Sequence, residues 1–289
     1  MGGEETGEQV RLFGTHSNYF FERNLDDRQR LAQQFSLLRE DFNLWFDQAL
    51  RLGRLSADPQ RADWAVLDAG CGEGQYAHEV VRRYPHAHLT GFDADPAAVA
   101  AAAGPAGTGM RFMVHDARQP LPAEVVPEGG FQAAVAWMVL LYLPDKRAAL
   151  AHLAAALAPG GVLMLGNVPD EPLLLDHPDA RVILETGRAA IARLGMTGME
   201  QTLEPLLQEA GFTDITTAVL RYPLGGATSY GHRWYACALS SFAAGRQLLS
   251  QAGLMDQAEY EQHLQALVDA PILDQAGELR FLVTLARRT

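Results

Sequence analysis

The chain predicts an α/β fold: a seven-stranded, mainly parallel sheet with helices on both faces, an N-terminal helix ahead of it and helical cap insertions later in the chain. Three observations carry this expectation. Trp64 to Leu67 leans apolar, ends in Asp68 and passes through a turn holding Gly70, Gly72 and Gly74 into a helical run from Gln75 to Tyr84. A second strand, His88 to Phe92, ends in Asp93, about 20 positions beyond the turn. Strand and helix signals then alternate at regular intervals, as crossover-connected parallel strands require.

Taken in order, residues 1–15 are polar and glycine-rich and read as a mobile tail. From Asp26 to Leu52 the apolar residues Leu31, Phe35, Leu38, Phe42, Trp45 and Ala49 recur at helical spacing; Asp26 or Asp27 can cap the start and Gly53 the end. After the strand–turn–helix, Pro96 to Ala103 is a short helix opened by proline at a tolerated position. Strand three is Met110 to His115, followed by Asp116, and strand four is Phe131 to Trp137. A helix from Asp145 to Leu157 follows, and Pro159-Gly160-Gly161 turns into strand five, Val162 to Asn167.

Residues 168–194 read as mostly helical, Gln201 to Ala210 as a helix closed by Gly211, and Thr213 to Tyr222 as a β-branched strand. Tyr230 to Val268 is a second helical stretch, and the apolar run Leu279 to Leu285 suits a closing strand within 277–288. The expected organisation is therefore a tail (1–15), an N-terminal helical lid (16–55), a core (56–167), a helical insertion (168–200), core again (201–224), a helical cap (225–276) and a final core strand (277–289).

With 289 residues, 48% of them hydrophobic and 20% charged, the chain has the composition of an ordinary globular protein. No stretch approaches ~18 uninterrupted apolar residues and nothing at the start resembles a signal peptide, so no membrane association and a cytoplasmic location are expected. Met1 to Thr6 formally fits a myristoylation pattern, but acidic residues follow without a polybasic segment, and chance accounts for it. A formal charge of −12 repels polyanions and argues against nucleic acid. Cys71 and Cys237 are far apart in sequence, form no zinc-binding spacing and read as packed thiols.

The glycine turn carries the chemistry. Glycines reach positive φ and let backbone approach a ligand, and the helix that starts there offers N–H donors and partial positive charge to an anion. Asp93, at the next strand tip, is placed to accept both hydroxyls of a ribose. A nicotinamide cofactor wants glycine at the sixth position of its fingerprint, where this chain has Gln75.

Asp68-Ala69-Gly70-Cys71-Gly72-Glu73-Gly74 resembles instead the first motif of class I S-adenosylmethionine-dependent methyltransferases. The resemblance covers about 64–222, with a looser fit to the last strand, and includes Ala158-Pro159-Gly160-Gly161, similar to the family's L-x-P-G-G turn. It implies an S-adenosylmethionine site, with S-adenosylhomocysteine as product, built from Asp68, Gly70, Cys71, Gly72 and Gln75 at the turn, Asp93 and Ala94 at the ribose, and Asp116 and Ala117 at the adenine. Trp137, Met138 and Tyr142 would line the boundary between cofactor and acceptor. Asp27, Arg30, Leu31 and Gln34 resemble the E-x-x-R-L-x-x-Q helix ahead of many small-molecule methyltransferases, which implies Tyr19, Arg30 and Gln34 near the methionine carboxylate; a solvated helix face with its own ion pairs is the other reading.

Departures from the family narrow the reaction. Phe131-Gln132 stands where many relatives have an F-D pair. Trp137 and Asn167 stand near the positions where catechol-type relatives carry metal-binding carboxylates, so no metal is expected. Ala136-Trp137-Met138-Val139 replaces the N-P-P-Y of amino-group methylases. His16, His232 and Tyr235 are the candidates for a general base, needed only where the acceptor must lose a proton early. His232-Arg233-Trp234-Tyr235 either contacts an aromatic or carboxylated acceptor or packs a helix. The expected activity is methylation of a small molecule, with specialised metabolism as the setting that analogy suggests and a homodimer allowed. The alternative is a protein that binds S-adenosylmethionine without methyl transfer, either cyclase- or decarboxylase-like or regulatory.

Overall fold

The regular alternation resolves into eight α-helices, one short 3-10 helix (Leu140–Tyr142) and eight strands among the residues that the computed structural model describes, which are 25–53, 58–104, 106–107, 109–193, 199–251, 253–271, 274 and 276–289. Chain order is α1 (Leu25–Leu52), β1 (Trp64–Ala69), α2 (Gln75–Arg83), β2 (Ala87–Asp93), α3 (Pro96–Ala103), β3 (Met110–Val114), β4 (Phe131–Trp137), α4 (Lys146–Ala156) and β5 (Leu157–Asn167). Then come β6 (Leu173–Leu175), α5 (Pro178–Arg193), α6 (Met199–Glu209), β7 (Phe212–Gly225), α7 (Ser229–Gln251), α8 (Gln257–Asp269) and β8 (Ala276–Arg288). The sheet runs β3-β2-β1-β4-β5-β8-β6, with β7 paired to β8. The pairs from β3 to β5 are parallel, and β8 runs antiparallel to β5 and β6.

The expected α/β sheet is present, and two details of it are corrected. Among the described residues the sheet counts eight strands, one more than the seven expected, because residues 168–177 include β6, a three-residue strand too short to show a period. The helical stretch after residue 229 is two helices: Gly253 adopts φ +64°, and the Asp256 carboxylate caps α8 by accepting from the Ala258 and Glu259 N–H groups. Pro159-Gly160-Gly161 does not precede β5 but lies within it. The strand begins at Leu157 and shifts register against β4 between Phe131 and Ala133. Backbone approaches too closely there for side chains, since a Cβ on Gly161 would lie 2.9 Å from the Ala158 carbonyl oxygen and 3.0 Å from that of Phe131.

The described chain divides into two compact units. The first holds 38–167, 199–219 and 282–289, and its sheet is covered on both faces. Side chains alternate along β1 as a strand demands. Leu67 and Ala69 join Ala134, Leu163 and Leu165 in the core with Leu150 and Leu153 of α4 and Leu203 and Leu207 of α6. Val66 and Asp68 face the other way, toward Phe42 of α1 and Tyr76 of α2. At the start of β4, the Gln132 side-chain oxygen accepts the Ala65 N–H at 2.7 Å, so this departure from the family pattern helps pair β4 to β1.

Two polar clasps tie the second half of α1 to α2. Asp47 accepts both terminal guanidinium nitrogens of Arg83, at 2.8 and 2.9 Å, and the Tyr84 hydroxyl at 2.5 Å. Glu79, almost fully buried, accepts from Asn43 at 2.7 Å and from Arg82 at 2.7 and 2.8 Å. Bidentate, charge-assisted pairs of this kind fix geometry as well as contribute energy.

The second unit holds 25–37, 168–193 and 220–281 of the described residues. Its centre is aromatic: Tyr222 stacks on Trp234 at 4.2 Å, and Phe281 lies 5.9 Å from the same indole. The Tyr235 hydroxyl donates to the Leu267 carbonyl at 2.8 Å, linking α7 to α8, and His263 reaches Asp179 of α5 at 2.6 Å. Among the described residues, no helix is long and apolar enough to cross a membrane.

Candidate functional site

The strand–turn–helix folds as its residues dictate. Gly70, Gly72 and Gly74 take φ of +69°, +54° and +82°. A Cβ at Gly70 would run into the Val139 side chain, whereas at Gly72 nothing lies within 4 Å. Gly70 is thus required by packing as well as by conformation, and Gly72 leaves open space beside the backbone. Gly74 opens α2 without a side-chain cap, so nothing from the N-cap competes with a ligand for the partial positive charge of the helix start.

Three strand tips close around this turn. Asp93, buried at the end of β2, accepts the Gly72 N–H on one oxygen and the Asp95 N–H on the other, both at 2.9 Å. A carboxylate offers about four acceptor positions, more than a single neutral acceptor could. Past β3, the His115 N–H donates to the Asp93 carbonyl at 3.0 Å, which ties this tip to β2. Asp116 is held by the Arg118 side chain at 2.6 to 3.0 Å and by the Arg118 backbone N–H at 2.9 Å. The guanidinium keeps the Asp116 carboxyl below its usual range, so it stays an ionised acceptor.

Asp68, at the end of β1, is the unusual group. Burial pushes its carboxyl up to about 7, and the charge of Asp93 adds to the shift. One of its oxygens is buried with no hydrogen-bond partner. The space beside it, lined by Phe42, Val66, Tyr76 and Val135, is too small to admit water. Phe42, Tyr76 and Trp137 form a tight aromatic cluster on this side, with centroids 4.6 to 5.3 Å apart. The Trp137 indole N–H is also buried without a partner, and Met138 beside it adopts φ +58°, a left-handed conformation uncommon outside glycine.

The sequence-predicted residues divide between the two units. The glycine turn with Cys71 and Gln75, Asp93 with Ala94, Asp116 with Ala117, Trp137 with Met138, and Tyr142 all lie in the unit that contains the sheet core. Cys71 is buried and forms no disulfide, and its N–H donates to the Phe92 carbonyl at 2.8 Å. Arg30 and Gln34 belong to the other unit, where Arg30 is buried on the Asp27 carboxylate at 2.8 and 2.9 Å. His16 and Tyr19 lie outside the described residues.

Two of the base candidates have other engagements. His232 Nε2 sits 2.6 Å from the Gly226 carbonyl oxygen, which only accepts, so that nitrogen carries the proton. The Tyr235 hydroxyl donates to Leu267, and burial pushes its pKa up, away from the range of a ready base. Cys237 is buried, with its thiol pushed up to about 11 by desolvation, as a packed residue would be. Among the described residues, no group of three His, Cys, Asp or Glu side chains could hold a metal ion.

Sequence reasoning missed Tyr76 and weighed Asn167 only as a place where a metal ligand is lacking. Tyr76 closes the aromatic cluster, and its only signal was adjacency to the turn. Asn167 ends β5 fully buried, with both amide atoms unpartnered, and only its position at a strand tip could have marked it.

Comparison with known proteins agrees with this geometry. Two relatives named trans-aconitate 2-methyltransferase, from Deinococcus radiodurans and Methylobacterium radiotolerans, are each 30% identical to this chain. The matches cover 57% and 62% of this chain, and 65% and 66% of those enzymes, just under two thirds of their length. A putative methyltransferase from Bacillus halodurans superposes with a TM-score of 0.52 at 15% identity, covering 84% of this chain and 100% of that one. The YcgJ protein of Bacillus subtilis superposes with a TM-score of 0.51 at 16% identity, covering 84% and 98%. At those identities the likeness shows the fold. A family described as a methyltransferase domain matches residues 37–217, a span that begins within α1, ends within β7 and takes in the glycine turn with every strand tip beside it. That span places the chain in the class I S-adenosylmethionine-dependent methyltransferase family.

Proposed function

We propose that this chain transfers the methyl group of S-adenosylmethionine to a small-molecule acceptor and releases S-adenosylhomocysteine. One observation carries the reading. The sheet order β3-β2-β1-β4 sets Asp116, Asp93, Asp68 and Trp137 in sequence across four neighbouring strand tips, with the glycine turn in the middle. At ~4.8 Å per strand the row spans about 14 Å, a length suited to an extended nucleoside carrying an amino-acid tail. The open face of Gly72 and the unpartnered Asp68 oxygen fit such a ligand.

Each residue then has a physical task. Asp116 accepts from the adenine amino group, Asp93 accepts from the ribose hydroxyls, and the backbone of the glycine turn lies against the chain joining them. Bound S-adenosylmethionine supplies a methyl group on a positively charged sulfur, ready for in-line displacement. The protein holds the acceptor in line with that bond, and such positioning is worth up to ~7–11 kcal/mol of barrier in favourable intramolecular cases. The named relatives put a small carboxylic acid first among acceptors to try, because a carboxylate attacks without prior loss of a proton and calls for no base. The charge of −12 argues against a nucleic-acid acceptor.

The test is calorimetry with S-adenosylmethionine, followed by incubation with labelled cofactor and an acceptor panel headed by trans-aconitate. Cofactor binding and label transfer with matching release of S-adenosylhomocysteine are expected. Absence of cofactor binding, or acceptor conversion without S-adenosylhomocysteine, would overturn the proposal.

A further inference from the structure

Asn167 is the last residue of β5 and is fully buried, and among the described residues neither its amide nitrogen nor its amide oxygen has a partner. Exchanging the two amide atoms rescues nothing, since both are unmet. Side chains alternate along β5, so the amide projects with Leu163 and Leu165 into the core that α4 and α6 cover. Its partner in register on β8, Leu282, belongs to the same core, and two residues back along β5, Leu165 pairs with Ala136 of β4. Thr284, in register with Leu165, is engaged by the Thr217 hydroxyl at 2.9 Å. Native interiors rarely leave both halves of an amide unpaired among apolar neighbours, and such atoms call for an explanation.

The fold itself does not ask for this amide, because an apolar side chain of similar size would leave no polar atom unmet. Its place suggests another use. Trp137 at the tip of β4 ends the row assigned above to the cofactor, and β5 is the next strand of the sheet. Asn167 faces α4 and α6, whereas Asp68 faces Phe42 and Tyr76, so the amide lies apart from the groups of that row. Beside it the chain leaves β4 through Met138, whose N–H donates to the Gly166 carbonyl at 2.7 Å while its φ is +58°. A single turn of 3-10 helix, Leu140–Tyr142, follows. Backbone strain of this kind clusters at ligand clamps and switch regions.

A carboxamide donates through its nitrogen and accepts through its oxygen, so its complement is a group with an acceptor and a donor side by side. A second carboxamide has both, and so has a carboxyl group that keeps its proton, the form that burial favours. A carboxylate or an ester has no donor. Resting on the function proposed above, we infer that Asn167 binds the methyl acceptor and selects small acids that carry, besides the carboxylate that takes the methyl, a protonated carboxyl or a carboxamide. Residues 138–142 move aside to admit that group. The reacting carboxylate oxygen forms a bond to the methyl carbon as the bond to sulfur breaks, so anion and sulfonium become a neutral ester and the thioether of S-adenosylhomocysteine. Asn167 touches only the group that does not react. It therefore sets the choice of acceptor and leaves cofactor affinity alone.

Two half-derivatives of fumaric acid, the monoamide and the monomethyl ester, carry the same free carboxylate, but only the amide adds a donor beside its acceptor. With labelled S-adenosylmethionine, the full chain should methylate the monoamide with a kcat/KM about tenfold or more above that of the ester, because a site built to hydrogen-bond a group rejects the analogue that lacks it. Asn167→Leu should erase that preference while its dissociation constant for S-adenosylmethionine, read by calorimetry, stays within about twofold of the parent's. Its midpoint in urea should equal or exceed the parent's, since the orphaned amide is gone. Equal rates with the two derivatives, methylation of neither, or a preference that survives in Asn167→Leu would overturn the inference; so would a lowered midpoint, which would show the amide satisfied within the fold. The two derivatives compared on the parent alone carry the test should Asn167→Leu fail to fold. A parent chain that binds no S-adenosylmethionine defeats the proposed function and this inference with it; one that methylates trans-aconitate yet treats the two derivatives alike defeats the inference alone.

Discussion

The ring of Phe42 meets the Trp137 indole edge to face, with centroids 5.3 Å apart and planes at 79°. A helix that precedes the first strand thereby covers the tip of the fourth, and the same phenyl ring lines the space at Asp68. Phe42 is fully buried, so its removal leaves a cavity among groups that the clasps at Asp47 and Glu79 hold fixed. Phe42→Ala should destabilise the protein by ~3–5 kcal/mol, read as a lowered midpoint in urea unfolding. A loss below ~1 kcal/mol would mean that the cluster collapses freely around the gap.

Asp93 serves the turn as well as the ligand. Asp93→Ala should weaken S-adenosylmethionine binding more than tenfold, because charge-assisted bonds to the ribose, worth ~1.5–3 kcal/mol each, are lost together with the Gly72 N–H anchor. Calorimetry measures the change, and an unaltered dissociation constant would refute the assignment.

Asp68 predicts a dependence of stability on pH with a definite sign. Its carboxyl is raised to about 7 in the folded chain from 3.8. Between those values the native state holds more proton than the unfolded state, so this residue's contribution to stability is full below about 4 and is lost as pH rises to about 7. The loss approaches about 4 kcal/mol at 1.36 kcal/mol per unit. Asp68→Asn should therefore match the parent near pH 4 and exceed it in Tm at pH 8; equal thermal midpoints at pH 8 would contradict the burial argument.

The Asp47 clasp predicts the opposite slope. Burial alone would raise its carboxyl, but the hydrogen bonds from Arg83 and Tyr84 outweigh that and hold it below the usual carboxylate range. The stability it contributes is present above the ordinary aspartate value and is lost as pH falls through the lowered one. Asp47→Asn should cost ~1.5–3 kcal/mol at neutral pH. In a double-mutant cycle with Arg83→Gln the two losses should fall short of additive, and strict additivity would show that the pair does not act as a unit.

Local chemistry made much of the architecture legible. The spans of β4 and α3 agree with expectation residue for residue, because an apolar run and a proline-opened alanine helix are decided by near neighbours. The glycine turn was equally plain, since positive φ at Gly70, Gly72 and Gly74 is a property of the residues themselves. Short or composite features were not. The three residues of β6 carry no period, and the single helical pattern over α7 and α8 hid a break at Gly253 that propensity alone does not mark. At the site, Tyr76 escaped notice because an aromatic after a glycine turn is common in many contexts.

The sequence by itself determined the strand, the turn and the helix that define the cofactor family, and the positions of Asp93 and Asp116 within them. Only the tertiary structure decided the condition of the groups there. Asp68 keeps its proton toward neutrality because side chains from α1, α2 and β4 exclude water from it, and Trp137 holds an unmet N–H because Gly166 admits its ring. The Tyr235 hydroxyl is likewise engaged by a carbonyl 32 residues away. Dihedral preference is a local property and can be read along the chain. Desolvation and hydrogen-bond satisfaction are sums over neighbours that only folding brings together.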